Sequence, residues 1–254
     1  MIEASGGTGG AAAPHGGDAG GVPPYIELAW HGDDRSRRGP RRSLDVRAIA
    51  TTGVRLADET GLGGVSMRSV GARLGMTSMG LYRYVRSKDE LVALMIDAAL
   101  GPPDFPAYGS EPWRDRLVAW SFAARARYEA HPWVLAVSLP EPPALPNQIA
   151  WTERGLEALW PTTMTESEKL SALLLVNVYV RGQTQLATGF GQAQTDDNQD
   201  AQYARLLLSL VDPDRFPRLV AVMTSRATYP RADFADHEFG FGLDTLLNGI
   251  ALRA

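Results

Sequence analysis

Between residues 43 and 101 the chain sets helix-capping side chains and glycine stops so close together that only short helices fit between them. Ser43, Ser66, Thr77 or Ser78, and Ser87 can each open a helix with a side-chain oxygen, and Gly61, Gly75 and Gly101 can each close one. Apolar residues recur at helical spacing inside these limits: Val46, Ile49, Ala50, Val54 and Ala57, then Met67, Val70 and Leu74, then Leu81 and Val85, then Leu91, Leu94 and Met95. Ser87-x-x-Glu90 has the form of a capping box, and Gly101-Pro102-Pro103 ends the segment.

From Trp113 onward the period stays helical, broken at His131-Pro132, Leu139 to Pro146, Pro161, Gly189 to Asp200, Pro213, Pro217 and Pro230. The predicted helices are 113–130, 147–160, 167–188, 201–211, 217–227 and 238–252, and alternating strand patterns are absent. The expected fold class is all-α: a small N-terminal helical domain at 43–101 and a larger one at 102–254. Residues 1–42 form an extension. Its first 22 residues are Gly/Ala-rich and are expected to be disordered, since ordering them buries little. Tyr25 to Trp30 is an apolar island that should dock on the folded body, and Arg35 to Arg42 is a basic arm that could follow DNA. Deleting residues 1–34 should therefore leave DNA binding nearly intact.

Charge separates the same regions. Residues 35–90 carry twelve Arg and Lys against five Asp and Glu, whereas the rest of the chain carries thirteen against twenty-four. A basic segment joined to an acidic body suits a part that meets a polyanion. The chain has no cysteine, which excludes disulfides and thiolate chemistry and fits a reducing cytoplasm. It shows neither a secretory signal nor a long apolar run, so no membrane is expected as a partner. There is no GxSxG, phosphate loop or paired-carboxylate motif, and no enzyme is expected. The four histidines are scattered, and Asp196 to Asp200 lacks the glycine and glutamate of a calcium loop, so neither metal nor cofactor is expected.

Two short helices joined through Gly75-Met76 are what a helix-turn-helix requires. The second opens with small or slender residues, Thr77-Ser78-Met79-Gly80, and then presents Tyr82, Arg83 and Tyr84. Residues 43–100, above all the run from Ser66 to Leu91 with Leu81-Tyr82 and Ser87-Lys88-x-x-Leu91, resemble the DNA-binding domain of the tetracycline-repressor family. The resemblance implies base contacts from Arg68, Ser78, Met79 and Gly80, and phosphate contacts from Tyr82, Tyr84 and Lys88. Ser66, Met67 and Thr77 are further phosphate-side residues. Met79 could read only a thymine methyl.

The resemblance extends through His131-Pro-Trp133, Pro146-Asn147, Tyr179-Val-Arg-Gly182 and Phe239 to Ile250 into that family's C-terminal domain. It implies a repressor that binds a palindromic operator as a homodimer, through helices 167–188 and 238–252, and is released by a small molecule. A charge at Leu246 or Leu247 would test that interface. The family's tetracycline-binding members place a histidine near the end of the connecting helix, and Ala98 to Tyr108 holds none, so a different, largely apolar effector is expected. Trp113, Leu117, Trp120 and Tyr128 share a helix face and, with Trp133, Trp151, Asn177, Arg181 and Gln185, are the expected ligand-binding residues; each aromatic could equally be core. The alternative is an effector-independent DNA-binding regulator whose C-terminal domain only dimerises.

Overall fold

A computed structural model describes residues 22–31, 45–137, 143–191, 199–228 and 234–254. The expectations for residues 1–21, for the arm at 35–42, for Ser43 as a cap and for Asp196 to Asn198 lie outside them. The N-terminal elements are α1 (Pro24–His31), α2 (Val46–Thr60), α3 (Met67–Arg73), α4 (Ser78–Leu81) and α5 (Lys88–Leu100). The larger region contains α6 (Trp113–Ala130), a 3-10 turn at Pro132–Ala136, α7 (Pro146–Leu159), α8 (Glu166–Gly191), α9 (Gln199–Leu210), α10 (Pro217–Thr228) and α11 (Phe234–Ala251). Among the described residues there is no strand, and no helix is long and apolar enough to cross a membrane.

The short helices start where a side chain takes over an orphan backbone donor. Asp45 caps α2 by accepting the Arg47 N–H at 3.0 Å. Ser66 and Ser69 form a reciprocal capping box on α3, and Thr77 accepts the Gly80 N–H at the head of α4. Ser87 accepts the Glu90 N–H, but Glu90 reaches back to the Arg86 N–H at 2.6 Å, one residue before the expected capping-box partner. Gly75 turns the chain between α3 and α4 at φ 67°, a conformation strained for any residue with a Cβ. Gly71 lets the two helices close on each other, because a Cβ there would meet the Met76 carbonyl at 3.0 Å.

Helix α5 packs on α2, and Leu91, Leu94, Met95 and Ile96 are buried in the same core as Ile49 and Val54. The island at Tyr25 to Trp30 is α1, packed on α2 and α5, with Ile26 and Ala29 buried in the common core. The Trp30 indole donates to the Ala144 carbonyl at 2.9 Å, so α1 also reaches the loop that leads into α7. Deletion of residues 1–34 therefore takes side chains out of the core.

Helices α6, α7, α8 and α11 form the larger bundle, and α9 and α10 pack chiefly on one another. Arg114 binds Asp244, Arg125 binds Asp236, and the Tyr179 hydroxyl donates toward the Glu238 and Phe239 carbonyls, which together fasten α11 to α6 and α8. Leu247 is fully buried, so a charge there breaks the core before any interface.

Candidate nucleic-acid interface

Three helix beginnings carry the residues expected to meet DNA. Arg68 lies in the first turn of α3, exposed, while the neighbouring Arg73 is held by Glu59 across to α2. That bond pulls the Glu59 carboxyl below its usual range, with partial opposition from desolvation. Met79 stands 76% exposed at the start of α4, and Ser78 and Gly80 beside it are half-buried. Tyr82 and Lys88 are exposed.

Helix α4 ends at Leu81, so Tyr82, Arg83 and Tyr84 stand in the turn that follows it instead of along its face. Tyr84 is half-buried: its ring packs against the core and faces a groove that it lines with Arg83 and α1. Met67 is 7% exposed in the core, which leaves its backbone as the part able to meet a phosphate. The Ser66 and Thr77 hydroxyls are already engaged as caps.

Behind this face, α5 runs back into the C-terminal domain and is gripped at its far end. Asp97, 8% exposed, accepts the Gln148 N–H at 2.9 Å and the Asn147 side-chain amide at 3.0 Å, closing the N-terminus of α7 in place of a local cap. Burial raises its pKa above the usual carboxylate value, and these hydrogen bonds with the Arg47 charge oppose the rise. Arg127 donates twice to the Ala99 carbonyl, and the Trp151 indole donates to the Gly101 carbonyl at 2.9 Å. A second seam joins the end of α2 to the 3-10 turn: Asp58 accepts from the Trp133 indole at 2.8 Å and meets His131 Nδ1 at 2.9 Å.

The residues expected to bind a ligand do not all meet. Leu117, Trp120, Tyr128 and Trp151 are buried in the core, and Trp113 is half-buried against it. The Trp120 indole donates to the Trp151 carbonyl. Tyr128 donates to Asn177 at 3.4 Å, and Arg181 lies 5.2 Å over its ring; burial raises the phenol's pKa despite that arginine. Trp133 and Gln185 are brought together elsewhere, on a cleft beside Asp58. Asp58, Asp97 and Arg127 were not among the expected site residues. Asp97 carries the clearest signal in retrospect, as a lone carboxylate inside the apolar run from Leu91 to Leu100.

The comparisons with known proteins follow the same division. Residues 49–95 match the bacterial regulatory proteins of the tetR family, and residues 105–253 match the tetracyclin repressor-like C-terminal domain. The chain belongs to the tetracycline-repressor family. The HTH-type transcriptional repressor DrrR1 of Streptomyces coeruleorubidus is 34% identical over 249 residues, 97% of this chain and 92% of that protein. An HTH-type transcriptional regulator of Saccharopolyspora erythraea is 31% identical over 150 residues, covering 59% of this chain and 63% of the relative. Among solved structures, the Streptomyces coelicolor TetR family protein ActR in complex with actinorhodin superposes with a TM-score of 0.70 over 83% of this chain and 98% of its own, at 21% identity. That likeness bears on fold. As a tetracycline-repressor family member, the protein is a helix-turn-helix DNA-binding transcription regulator.

Proposed function

We propose that the protein is a homodimeric repressor that binds a palindromic operator and is released by a largely apolar small molecule. The observation that carries this reading is the grip on α5. That helix follows the α3–α4 unit directly, and its far end is held by Asn147, the Gln148 N–H, Arg127 and Trp151 of the C-terminal domain. A change of packing among α6 and α7 therefore moves α5, and with it α4, as a body. In support, DrrR1 is named a repressor, and the ActR structure was obtained with a small molecule, actinorhodin.

Dimerisation is supported by Leu170, Leu174 and Val178, exposed one helical turn apart along α8, and by Phe241, 65% exposed on α11. A row of this kind on a long helix is covered by a second copy in a two-fold arrangement, which requires half-sites about 34–36 Å apart or a multiple of that. In this reading Arg68, Ser78, Met79 and Gly80 face bases. Tyr82, Tyr84 and Lys88 contact phosphates, with Ser66 and Thr77 beside them.

The test is to map the protein's binding sites across its genome, then screen compounds for thermal stabilisation and for release of a bound site. A palindrome, and at least one compound that stabilises the protein and weakens operator binding about 5- to 150-fold, are expected. Stabilising compounds that all leave operator affinity unchanged would favour the alternative in which the C-terminal domain only dimerises.

A further inference from the structure

Three helices of the N-terminal region are tied to the C-terminal domain, each by a side chain in its last turn. On α2 it is Asp58, which holds the Trp133 indole and His131. On α5 it is Asp97, which holds Asn147 and the Gln148 N–H. On α1 it is Trp30, whose indole donates to the Ala144 carbonyl, 114 residues away in sequence. Helix α1 lies outside the stretch matched to the tetR family, residues 49–95, so the third tie is additional to the matched helices. It is seated firmly: Ile26 and Ala29 are buried in the core that α1 shares with α2 and α5, while the Trp30 side chain stays 44% exposed with its N–H committed. Across the groove that α1 lines stand Arg83 and Tyr84, in the turn after α4. The helix therefore bridges from beside the recognition helix to the loop that opens α7.

A rigid body held at two points can still turn about the line through them, and a third point off that line removes the freedom. Asp58 and Asp97 supply two such points, and Trp30, on a separate helix, supplies another. We infer that Trp30 is a positioning residue for operator binding: by tying α1 to Ala144 it fixes the angle of each DNA-binding unit on the dimer, and with it the spacing between the two recognition helices. The inference rests on the reading of the protein as a homodimer on a palindromic operator. In that reading the subunits join through α8 and α11, so half-sites about 34–36 Å apart, or a multiple of that, are matched only if each N-terminal unit is set correctly on its own C-terminal domain.

The test compares full-length wild type, Trp30→Phe and Ile49→Val by equilibrium binding to three kinds of duplex: the mapped palindrome, the same half-sites with the spacer one base pair longer or shorter, and one half-site alone. Trp30→Phe keeps an aromatic ring and removes the donor. It should lose about 3- to 10-fold on the native spacing and keep its half-site affinity, so that preference for the native spacing falls by the same factor. Ile49→Val thins the core of α2 without touching a tie and should keep the wild-type preference, which separates positioning from a general loss of stability. The chain has no cysteine, so Trp30→Cys combined with Ala144→Cys can be joined selectively by a short bifunctional maleimide. The joined protein should regain the spacing preference that the unjoined double variant lacks. An unchanged preference in Trp30→Phe, an equal loss on every duplex including the half-site, or a bridge that restores nothing would overturn the assignment. A wild type that binds every spacing alike would refute the palindrome reading itself, and the positioning role with it.

Discussion

The N-terminal and C-terminal regions of the molecule differ in the range over which polar side chains hold their helices: short helices closed by their own caps in the first, helices fastened across more than fifty residues in the second. From Asp45 to Glu90 the helix ends are closed from within: Asp45 to Arg47, Ser66 to Ser69, Thr77 to Gly80 and Ser87 to Glu90 are all two or three residues apart. In the C-terminal region local bonds such as Thr165 to Glu168 are joined by distant fastenings between helices. Arg114 and Asp244 are 130 residues apart, Arg125 and Asp236 are 111 apart, and Tyr179 and Phe239 are 60 apart. Local caps form with their helix and do not depend on what packs against it. Distant bonds exist only once the bundle has closed. The difference suits a DNA-binding unit that keeps its internal shape while its neighbour changes packing. It also makes the seam between them, at Asp58 and Asp97, the place where orientation is set.

The sharpest way to break this comparison is through α1, which belongs to the N-terminal region yet fastens at long range. Removing residues 1–34 takes buried Ile26 and Ala29 out of the core and the Trp30 bond off Ala144, and should lower unfolding stability by about 3–5 kcal/mol. Thermal or urea unfolding reads this directly, and a deletion that melts like the full chain would detach α1 from the fold.

Next in size is the seam. Asp97→Ala leaves the Gln148 N–H and the Asn147 amide without their acceptor and should cost about 2–3 kcal/mol, measured by urea unfolding. A local cap is worth less: Ser66→Ala should cost about 1 kcal/mol by the same measurement. If the two variants lose equal stability, the distinction between local and distant fastening has no energetic content. The smallest effect is expected at Tyr108, whose buried hydroxyl has no partner among the described residues and whose pKa is pushed up to about 12, chiefly by burial. Tyr108→Phe removes an unsatisfied group and should change stability by less than about 0.5 kcal/mol, or raise it slightly.

The same contrast explains what could be read from the residues alone. The short helices of the N-terminal region were legible because their caps and stops are neighbours in sequence, and α6 at 113–130 matched because Pro112 and His131-Pro132 bound it. Helix α11 starts at Phe234 instead of 238, ahead of the apolar repeat that suggested it. Tyr82 to Tyr84 follow the short helix in a turn that keeps helix-like hydrogen bonds, Tyr82 N–H to Ser78 and Val85 N–H to Leu81, so sequence spacing does not separate the two. Four of the residues expected to bind a ligand, Trp113, Leu117, Trp120 and Tyr128, share a face of α6. Whether such a face meets solvent or core depends on α7 and α8, which no local pattern encodes. Asp58 looked like any exposed carboxylate, since its partners lie 73 and 75 residues away.

The most direct measurement is equilibrium binding of the full-length protein to its mapped operator across a range of salt concentrations, with Lys88→Ala and Arg68→Ala alongside. Two chains per palindrome are expected, with a steep salt dependence that Lys88→Ala flattens by about one unit of the log–log slope on every sequence. Arg68→Ala should instead relax preference at one operator position, by about 1–3 kcal/mol there. Binding by one chain per site, or an affinity that neither substitution alters, would contradict the account.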